Sequence, residues 1–152
     1  MDGELSLERR LDLPREVVWE ALVDPVLAEG WLHPAARLAG DAESEEFDPL
    51  EFTEPETPDA PAVLHVRSAE LGEVRFELRE LPEGTRGRST LLLLTVSGQG
   101  DVRFLAPVVA SWRTRLDQLE QLLRGHPVDW QNWDRDHGAD YEQYLAEARA
   151  AI

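Results

Sequence analysis

The hydrophobic positions near the start of the chain change from a period of two to a period between three and four. Leu5, Leu7 and Leu11 alternate with charged or polar residues over 4–12, which predicts a half-buried strand. Pro14 then stands where a helix can begin, because its missing N–H has no partner in a first turn. A helical apolar stripe follows it, made of Val18, Trp19, Leu22 and Val23.

An Asp-Pro pair interrupts this helical stripe. Asp24 is a favourable N-cap, and Pro25 suits the first position of a new helix. Leu27 and Trp31 are four residues apart and would share a face of that second helix. The sequence therefore predicts two short helices that meet at a sharp corner, with Trp19 in the first and Trp31 in the second.

The middle of the chain predicts an antiparallel sheet. AVLHVRS (62–68) and GEVRFELREL (72–81) read as strands, the second with strict alternation, and PEGTRG supplies a turn. The apolar run STLLLLTVS (89–97) predicts a strand that is buried on both faces or central in the sheet. GQGD is expected to end that strand.

The segment between the second helix and these strands is different in character. Residues 35–39 predict a short strand, and 40–61 follow with nine acids, four prolines and no basic residue. We interpret 40–61 as an exposed loop around one short strand, LEF. The alternative is an acidic arm that regulates the protein or binds a partner.

A long amphipathic helix is predicted after the sheet, with Gly125 as the C′ residue that ends it. Its apolar positions follow the helical period of about 3.6 residues: Leu105, Val109, Trp112, Leu116, Leu119 and Leu123. The tail beyond it contains two Trp and two Tyr and predicts a short helix from about residue 139.

This order of elements predicts an α+β fold in one layered domain. A curved antiparallel sheet with one apolar face needs a cover, and the long helix can provide it while the helix pair closes one end. Such a layout commonly encloses a cavity between helix and sheet. We assign this domain to residues 1–125, and we expect the tail of 126–152 to pack on it or at a dimer contact.

Composition and charge narrow the classes of partner. The chain has 31 acidic and 15 basic residues, all of the latter Arg, for a net charge of −16. Nucleic acids and anionic membranes attract basic patches, so neither is expected as a partner. No stretch approaches the ~18 apolar residues of a membrane span. The absence of cysteine excludes disulfides and thiolate sites, and we predict a cytoplasmic protein.

Four stretches resemble one bacterial family. They are LPREVVWEALVDPVLAEGWL, VRFELRELPEGTRGRSTLLLLTVSG, SWRTRLDQLEQLLRG and PVDW. They are similar to bacterial proteins related to the activator of the heat-shock-protein-90 ATPase, within the helix-grip superfamily of START domains, polyketide cyclases and the birch-pollen allergen. Ser111 departs from the family, which usually has Gly before the tryptophan of the third stretch. The resemblance implies a helix-grip fold whose last helix lines a ligand space.

The candidate residues for lining that space come from the corner, the strands and the long helix. We expect Trp31 near the corner, and Trp112 and Leu116 on the covering face of the helix. His65 is the one credible acid or base, if its strand face points inward. The full set is Trp31, Phe52, His65, Phe76, Val109, Trp112, Arg113 and Leu116.

The motifs of several catalytic classes are absent from the sequence. The four His form no HxxH or HxxxH pair. NWDRDHG spaces Asn132, Asp134 and Asp136 like calcium ligands, but His137 and Gln143 stand where a calcium loop requires glycine and glutamate. There is no GxSxG motif and no phosphate-binding loop. We therefore predict no metal, no cofactor and no nucleophilic catalysis.

Three functions remain as hypotheses. The first is a non-enzymatic cavity protein, a monomer or homodimer, that binds a small hydrophobic ligand or acts as an interaction module. The second is an enzyme of polyketide-cyclase or dehydratase type, in which His65 or an acid in the cavity transfers protons. The third is a co-chaperone that stimulates an ATPase.

Overall fold

The computed structural model describes residues 2–32, 47–53, 60–68, 72–101 and 105–151. Its strands are β1 (Asp2–Leu11), β2 (Phe47–Thr53), β3 (Ala62–Ser68), β4 (Gly72–Leu81) and β5 (Ser89–Asp101). They form one antiparallel sheet in the spatial order β1-β5-β4-β3-β2. Its helices are α1 (Arg15–Val23), α2 (Pro25–Ala28), α3 (Leu105–Leu123) and α4 (Trp133–Ala151). The predicted short strand at 35–39 lies outside the described residues.

The strand register aligns rows of apolar side chains on the face of the sheet beneath α3. Leu7, Leu94, Phe76 and Leu64 are paired in turn across β1, β5, β4 and β3. The last three are at most 1% exposed. The alternation predicted for β4 is confirmed, because its inward positions are all fully buried: Val74, Phe76 and Leu78.

Strand β5 lies between β1 and β4, as its apolar run predicts, but it is buried on one face. Leu92 and Leu94 are almost inaccessible, whereas Leu91 and Leu93 on the other face are half-buried. The expectation that GQGD ends the strand was wrong, since β5 continues to Asp101, which pairs with Asp2 of β1. Pairing of Asp101 with the first strand extends β5 despite the weak strand propensity of this segment, and the register is irregular between Asp2 and Glu4.

The corner between α1 and α2 is built as predicted. The Asp24 carboxylate accepts hydrogen bonds from the backbone N–H groups of Val26 (2.8 Å) and Leu27 (3.3 Å), so it caps α2. Helix α2 ends at Ala28, one turn earlier than predicted, and Trp31 lies in the turn that follows. We refer to residues 24–32 as the corner segment.

Trp31 is the anchor of the corner segment. Its side chain is fully buried, and its indole Nε1–H donates to the carbonyl of Ala21 at 2.8 Å. This bond joins the corner segment to α1, since Ala21 belongs to the preceding helix. Trp19 is also buried, so the tryptophans on both sides of the Asp-Pro pair belong to the core.

Helix α3 ends as the glycine predicts. Gly125 has φ of 90°, in the left-handed region that favours glycine. Its N–H donates to Leu122 and the N–H of His126 donates to Gln121, the two bonds of a Schellman motif. The chain then turns back over the corner segment, where the N–H of Val128 donates to the carbonyl of Gly30 at 2.9 Å.

The residues after α3 form more structure than predicted. A 3₁₀ turn at Trp130–Asn132 leads into α4, which has 19 residues where the sequence predicts a short helix from about 139. Helix α4 packs on α3 through a small apolar cluster that includes Ala106, Ala110, Leu145 and Ala148. The small residues of this cluster give a weak hydrophobic stripe, which explains why the pattern is hard to detect. The domain division at residue 125 stays a prediction.

Gln118 connects α3 to the corner segment and to α4. Its Nε2 donates to the backbone carbonyl of Trp31 at 2.7 Å, and its Oε1 accepts from the indole of Trp133 at 2.7 Å. Gln118 is 2% exposed, and its bond to Trp31 is buried whereas its bond to the half-buried Trp133 is partly buried. A second indole, that of Trp130, donates to the carbonyl of Glu29 at 2.7 Å.

We expect Trp31→Ala to lower the free energy of unfolding by about 3–5 kcal/mol, because it removes a fully buried aromatic side chain and leaves a cavity. Val26→Ala on the same segment is the matched control, since Val26 is 79% exposed and should change stability by less than about 0.5 kcal/mol. Chemical denaturation measures both. A loss below about 1 kcal/mol for Trp31→Ala would contradict its role as an anchor.

We expect Gln118→Leu to destabilise the protein by about 1–3 kcal/mol for each buried polar partner that it leaves without a hydrogen bond. Gln121→Leu is the control, because Gln121 is an exposed glutamine on the same helix. Equal stabilities of the two variants in chemical denaturation would show that the amide does not hold the three elements together.

Candidate functional site

Four of the predicted lining residues meet between α3 and the sheet. The Trp31 and Phe76 rings contact edge to face with centroids 6.3 Å apart, and Phe76 contacts Trp112 in the same way at 6.0 Å. Leu116 belongs to the same cluster, and none of the four is more than 1% exposed. The space beneath α3 is therefore filled at this level by the side chains that were predicted to line it.

Two of the predicted residues face α4 instead. Val109 packs against the small apolar cluster between α3 and α4. The guanidinium of Arg113 pairs with Glu147 at 2.9 Å and lies 4.1 Å from the centre of the Tyr144 ring. Their contacts with α4 place both on that side of α3, and the sequence could not indicate that a second helix would cover them.

His65 lies on the face of the sheet opposite α3. Its neighbours Leu64 and Val66 are buried beneath the helix, and alternation turns His65 outward. There its Nε2 is 2.8 Å from the carboxylate of Glu73. This face carries a ladder of charged pairs between β3 and β4 and within β4, made of Arg67–Glu73, Arg75–Glu77 and Arg79–Glu77. His65 is therefore not a cavity residue.

Phe52, the last of the predicted residues, lies in β2 at the register position opposite Leu64. Its side chain is outside the described part of the structure.

A cleft of about 560 Å³ opens at the C-terminal end of α3. The end of β1, the turn between β4 and β5, and the last turn of α3 form its walls, and we refer to it as the α3-end cleft. Its lining combines apolar and charged side chains: Arg10, Leu11, Asp12, Leu13, Thr85, Arg86, Glu120, Leu123 and Arg124. None of these residues was predicted, because they come from three distant segments and no local motif joins them.

Asp12 fixes one wall of the α3-end cleft. Its carboxylate accepts hydrogen bonds from the N–H of Thr85 at 2.9 Å and from the Thr85 hydroxyl at 2.5 Å. These bonds, with a smaller contribution from the charge of Arg86, hold the pKa of Asp12 below its ordinary value of 3.8. Gly84, with φ of 128°, permits the close approach, since a Cβ there would lie 2.6 Å from the Asp12 carboxylate.

Glu120, the other acid of the α3-end cleft, belongs to an ion-pair network between β1, α3 and α4. Arg9 donates to Glu120 at 2.9 Å and to Asp117 at 2.8 Å. The hydroxyl of Tyr144 donates to the second oxygen of Asp117 at 2.5 Å. Partial burial and this hydrogen bond raise the pKa of Tyr144 to about 12. Both acids of the cleft are thus already engaged by other groups of the protein.

A second cleft, of about 410 Å³, lies between the end of α3 and the start of α4. It is strongly acidic and includes Asp117, Glu120, Asp129, Asp136, Asp140, His126 and His137. The described residues contain no group of three or more acidic or histidine side chains placed to hold a metal ion. We therefore do not assign a function to this cleft.

Comparison with known proteins gives structural matches. No family model matches the chain, and no curated protein matches it. The solution structure of CalU16 from Micromonospora echinospora has a TM-score of 0.65 at 18% identity, covering 97% of this chain and 85% of that one. EF2215 from Enterococcus faecalis, a conserved protein of unknown function, has a TM-score of 0.57 at 16% identity, covering 96% and 84%.

A third match is the crystal structure of DynU16, a protein in the dynemicin biosynthetic locus. It has a TM-score of 0.51 at 20% identity. The match covers 82% of this chain and 48% of DynU16. At these identities the matches establish the fold and nothing finer. The chain has an α+β helix-grip fold, which confirms the architecture expected from the sequence.

No helix in the described ranges combines the length and apolar character that crossing a membrane requires. The cytoplasmic location and the state as monomer or homodimer stay predictions.

The depressed pKa of Asp12 predicts how the wall of the α3-end cleft responds to acid. A carboxyl group whose pKa is lower in the folded state stabilises that state at neutral pH and loses this contribution as the pH falls below its ordinary value, here 3.8. We expect the NMR signal of the Thr85 amide to titrate with a midpoint below 3.8, and Asp12→Asn to abolish this titration. A midpoint at or above 3.8 would contradict the hydrogen-bonded geometry.

Proposed function

We propose that this chain is a non-enzymatic helix-grip protein that binds a small molecule with an apolar body at the α3-end cleft. The observation that carries the proposal is the cleft itself. Its volume of about 560 Å³ falls within the range of roughly 300–1,000 Å³ that is usual for small-molecule sites. The cleft has three leucines in its walls, and it opens to solvent at the end of the long helix.

The apolar wall of the α3-end cleft is continuous with the core. Leu11 is a buried member of the main core cluster, and Leu13 and Leu123 pack against that cluster while remaining half-buried. A ligand that covers the exposed parts of these side chains removes apolar surface from water, at roughly 25 cal/mol per Å². The rigid core behind them means that this wall is already formed before binding.

The interior favours binding over proton-transfer chemistry. Among the described residues the buried polar side chains are Arg15, Ser89, Thr90, Thr114 and Gln118, and none of them lines the α3-end cleft. An enzyme of the cyclase or dehydratase type needs at least two polar groups that converge on its substrate. The one histidine considered for that role, His65, faces the opposite side of the sheet.

We further propose that the chain is related to the activator of the heat-shock-protein-90 ATPase. The support is that the resembling stretches form α1, the corner segment, the β4–β5 pair and α3, which together enclose the core. Co-chaperone activity has less support. Among the described residues the exposed large hydrophobic side chains are Val17 and Val26, which offer little apolar surface for a partner.

We expect N-phenyl-1-naphthylamine, a neutral apolar dye that fluoresces when shielded from water, to bind the protein with micromolar affinity. Leu123→Ser should weaken this binding by roughly fivefold, because part of the leucine's burial energy of about 1.5–3 kcal/mol is lost. Val108→Ser is the matched control, a half-buried apolar residue at the other end of α3. Fluorescence titration measures all three proteins.

Absence of dye binding, or equal binding by the wild type and Leu123→Ser, would show that the α3-end cleft is not the site. Circular dichroism and thermal unfolding should confirm that both variants remain folded. Native mass spectrometry of protein from its own host adds an independent test, because a copurifying small molecule should be displaced by the dye.

A further inference from the structure

The rim of the α3-end cleft carries three arginines from three separate elements. Arg10 is near the end of β1, Arg86 is in the turn between β4 and β5, and Arg124 directly follows the last turn of α3. All three are exposed. In a chain with a net charge of −16, three cations around one opening are a marked local departure from the overall charge.

The acids near the cleft leave these arginines largely available. Asp12 is hydrogen-bonded to Thr85, and Glu120 is paired with Arg9, as described above. Arg10 is 3.8 Å from Glu83, and both side chains are 64% exposed, so that pair is weak. Within the described ranges, no carboxylate lies within ion-pair distance of Arg86 or Arg124.

The end of α3 does not remove the positive charge at the rim. A helix C-terminus carries partial negative charge, which stabilises a cation such as Arg124 at that position. The Schellman bonds at Gly125 already engage two of the last carbonyls of α3, those of Gln121 and Leu122. The guanidinium of Arg124 is left exposed beside the cleft.

We propose that the ligand of the α3-end cleft carries an anionic head group, a carboxylate, sulfate or phosphate, on its apolar body. This inference rests on the proposed function and names the class of its ligand. The guanidinium groups of Arg10, Arg86 and Arg124 bind the head group, because Arg presents paired N–H donors that match planar or tetrahedral oxyanions. The apolar body lies against Leu11, Leu13 and Leu123.

The net negative charge of the molecule repels anions at long range, so anion binding is confined to the arginine rim. A strongly acidic protein repels anions over its surface as a whole. Binding of an anion therefore depends on the local rim, where the arginines lie closer to the head group than the acids of the other surfaces and act within the screening length of about 10 Å at moderate salt.

A pair of dyes tests the head group directly. 8-Anilinonaphthalene-1-sulfonate has the aromatic skeleton of N-phenyl-1-naphthylamine with a sulfonate added. We expect the wild type to bind the sulfonate more tightly than the neutral dye at low salt, and this preference to decrease as salt rises. Fluorescence titration of both dyes against the same protein gives the ratio of their dissociation constants.

Removal of the rim charge identifies where the preference originates. The double variant Arg86→Gln/Arg124→Gln should bind the sulfonate about tenfold more weakly, since each exposed charge contact contributes a few-fold. It should bind the neutral dye within about twofold of the wild type. The control is Arg79→Gln/Arg149→Gln, which changes net charge equally through an arginine on the outer sheet face and one near the end of α4.

The outcomes separate the two proposals. Equal or weaker binding of the sulfonate, or equal losses in the rim and control variants, overturns the anionic head group. If the anionic head group is overturned but Leu123→Ser still weakens binding of the neutral dye, the proposed function stands. Failure of the neutral dye to bind at all overturns the proposed function, and the anionic ligand with it.

Discussion

The buried amide of Gln118 is the interaction on which the arrangement of the other elements depends. One side of the amide holds the corner segment through the carbonyl of Trp31, and the other side holds the start of α4 through the indole of Trp133. The bond to Trp31 is buried, so its carbonyl cannot turn to water instead, and the bond to Trp133 is partly buried. Gln118 therefore joins three elements whose positions are also supported by the apolar core beneath α3 and by the bond from Val128 to Gly30.

Much of the fold follows from short-range patterns in the sequence. The Asp24-Pro25 corner, the alternation in β4 and the glycine at the end of α3 each express a local physical preference, and the structure contains all three. The element boundaries that were predicted wrongly are set by contacts between residues distant in the sequence. β5 extends through GQGD because β1 pairs with it, and α4 begins early because Trp133 gains a partner on α3.

The candidate site was accessible to sequence analysis only in part. Trp31, Phe76, Trp112 and Leu116 were expected to line a ligand space, since each lies at an apolar position on an inward face, and that role stays a prediction. Their packing against one another could not be foreseen, because a periodic pattern predicts that a residue faces inward but not whether a ligand or another side chain meets it there. The lining of the α3-end cleft has no signal of its own in the sequence, as Leu13, Arg86 and Arg124 become neighbours only through the tertiary fold.

The charge ladder on the outer face of β3 and β4 has a consequence for the molecule as a whole. Its arginines and glutamates nearly cancel, so this face contributes almost nothing to the net charge of −16. The excess is distributed elsewhere, for example along α4, where five acids accompany two arginines. Among the described residues, the sheet face formed by β3 and β4 is therefore nearly neutral, whereas the flank formed by α4 is acidic. A charged molecule that approaches these two surfaces meets different local fields before any contact forms.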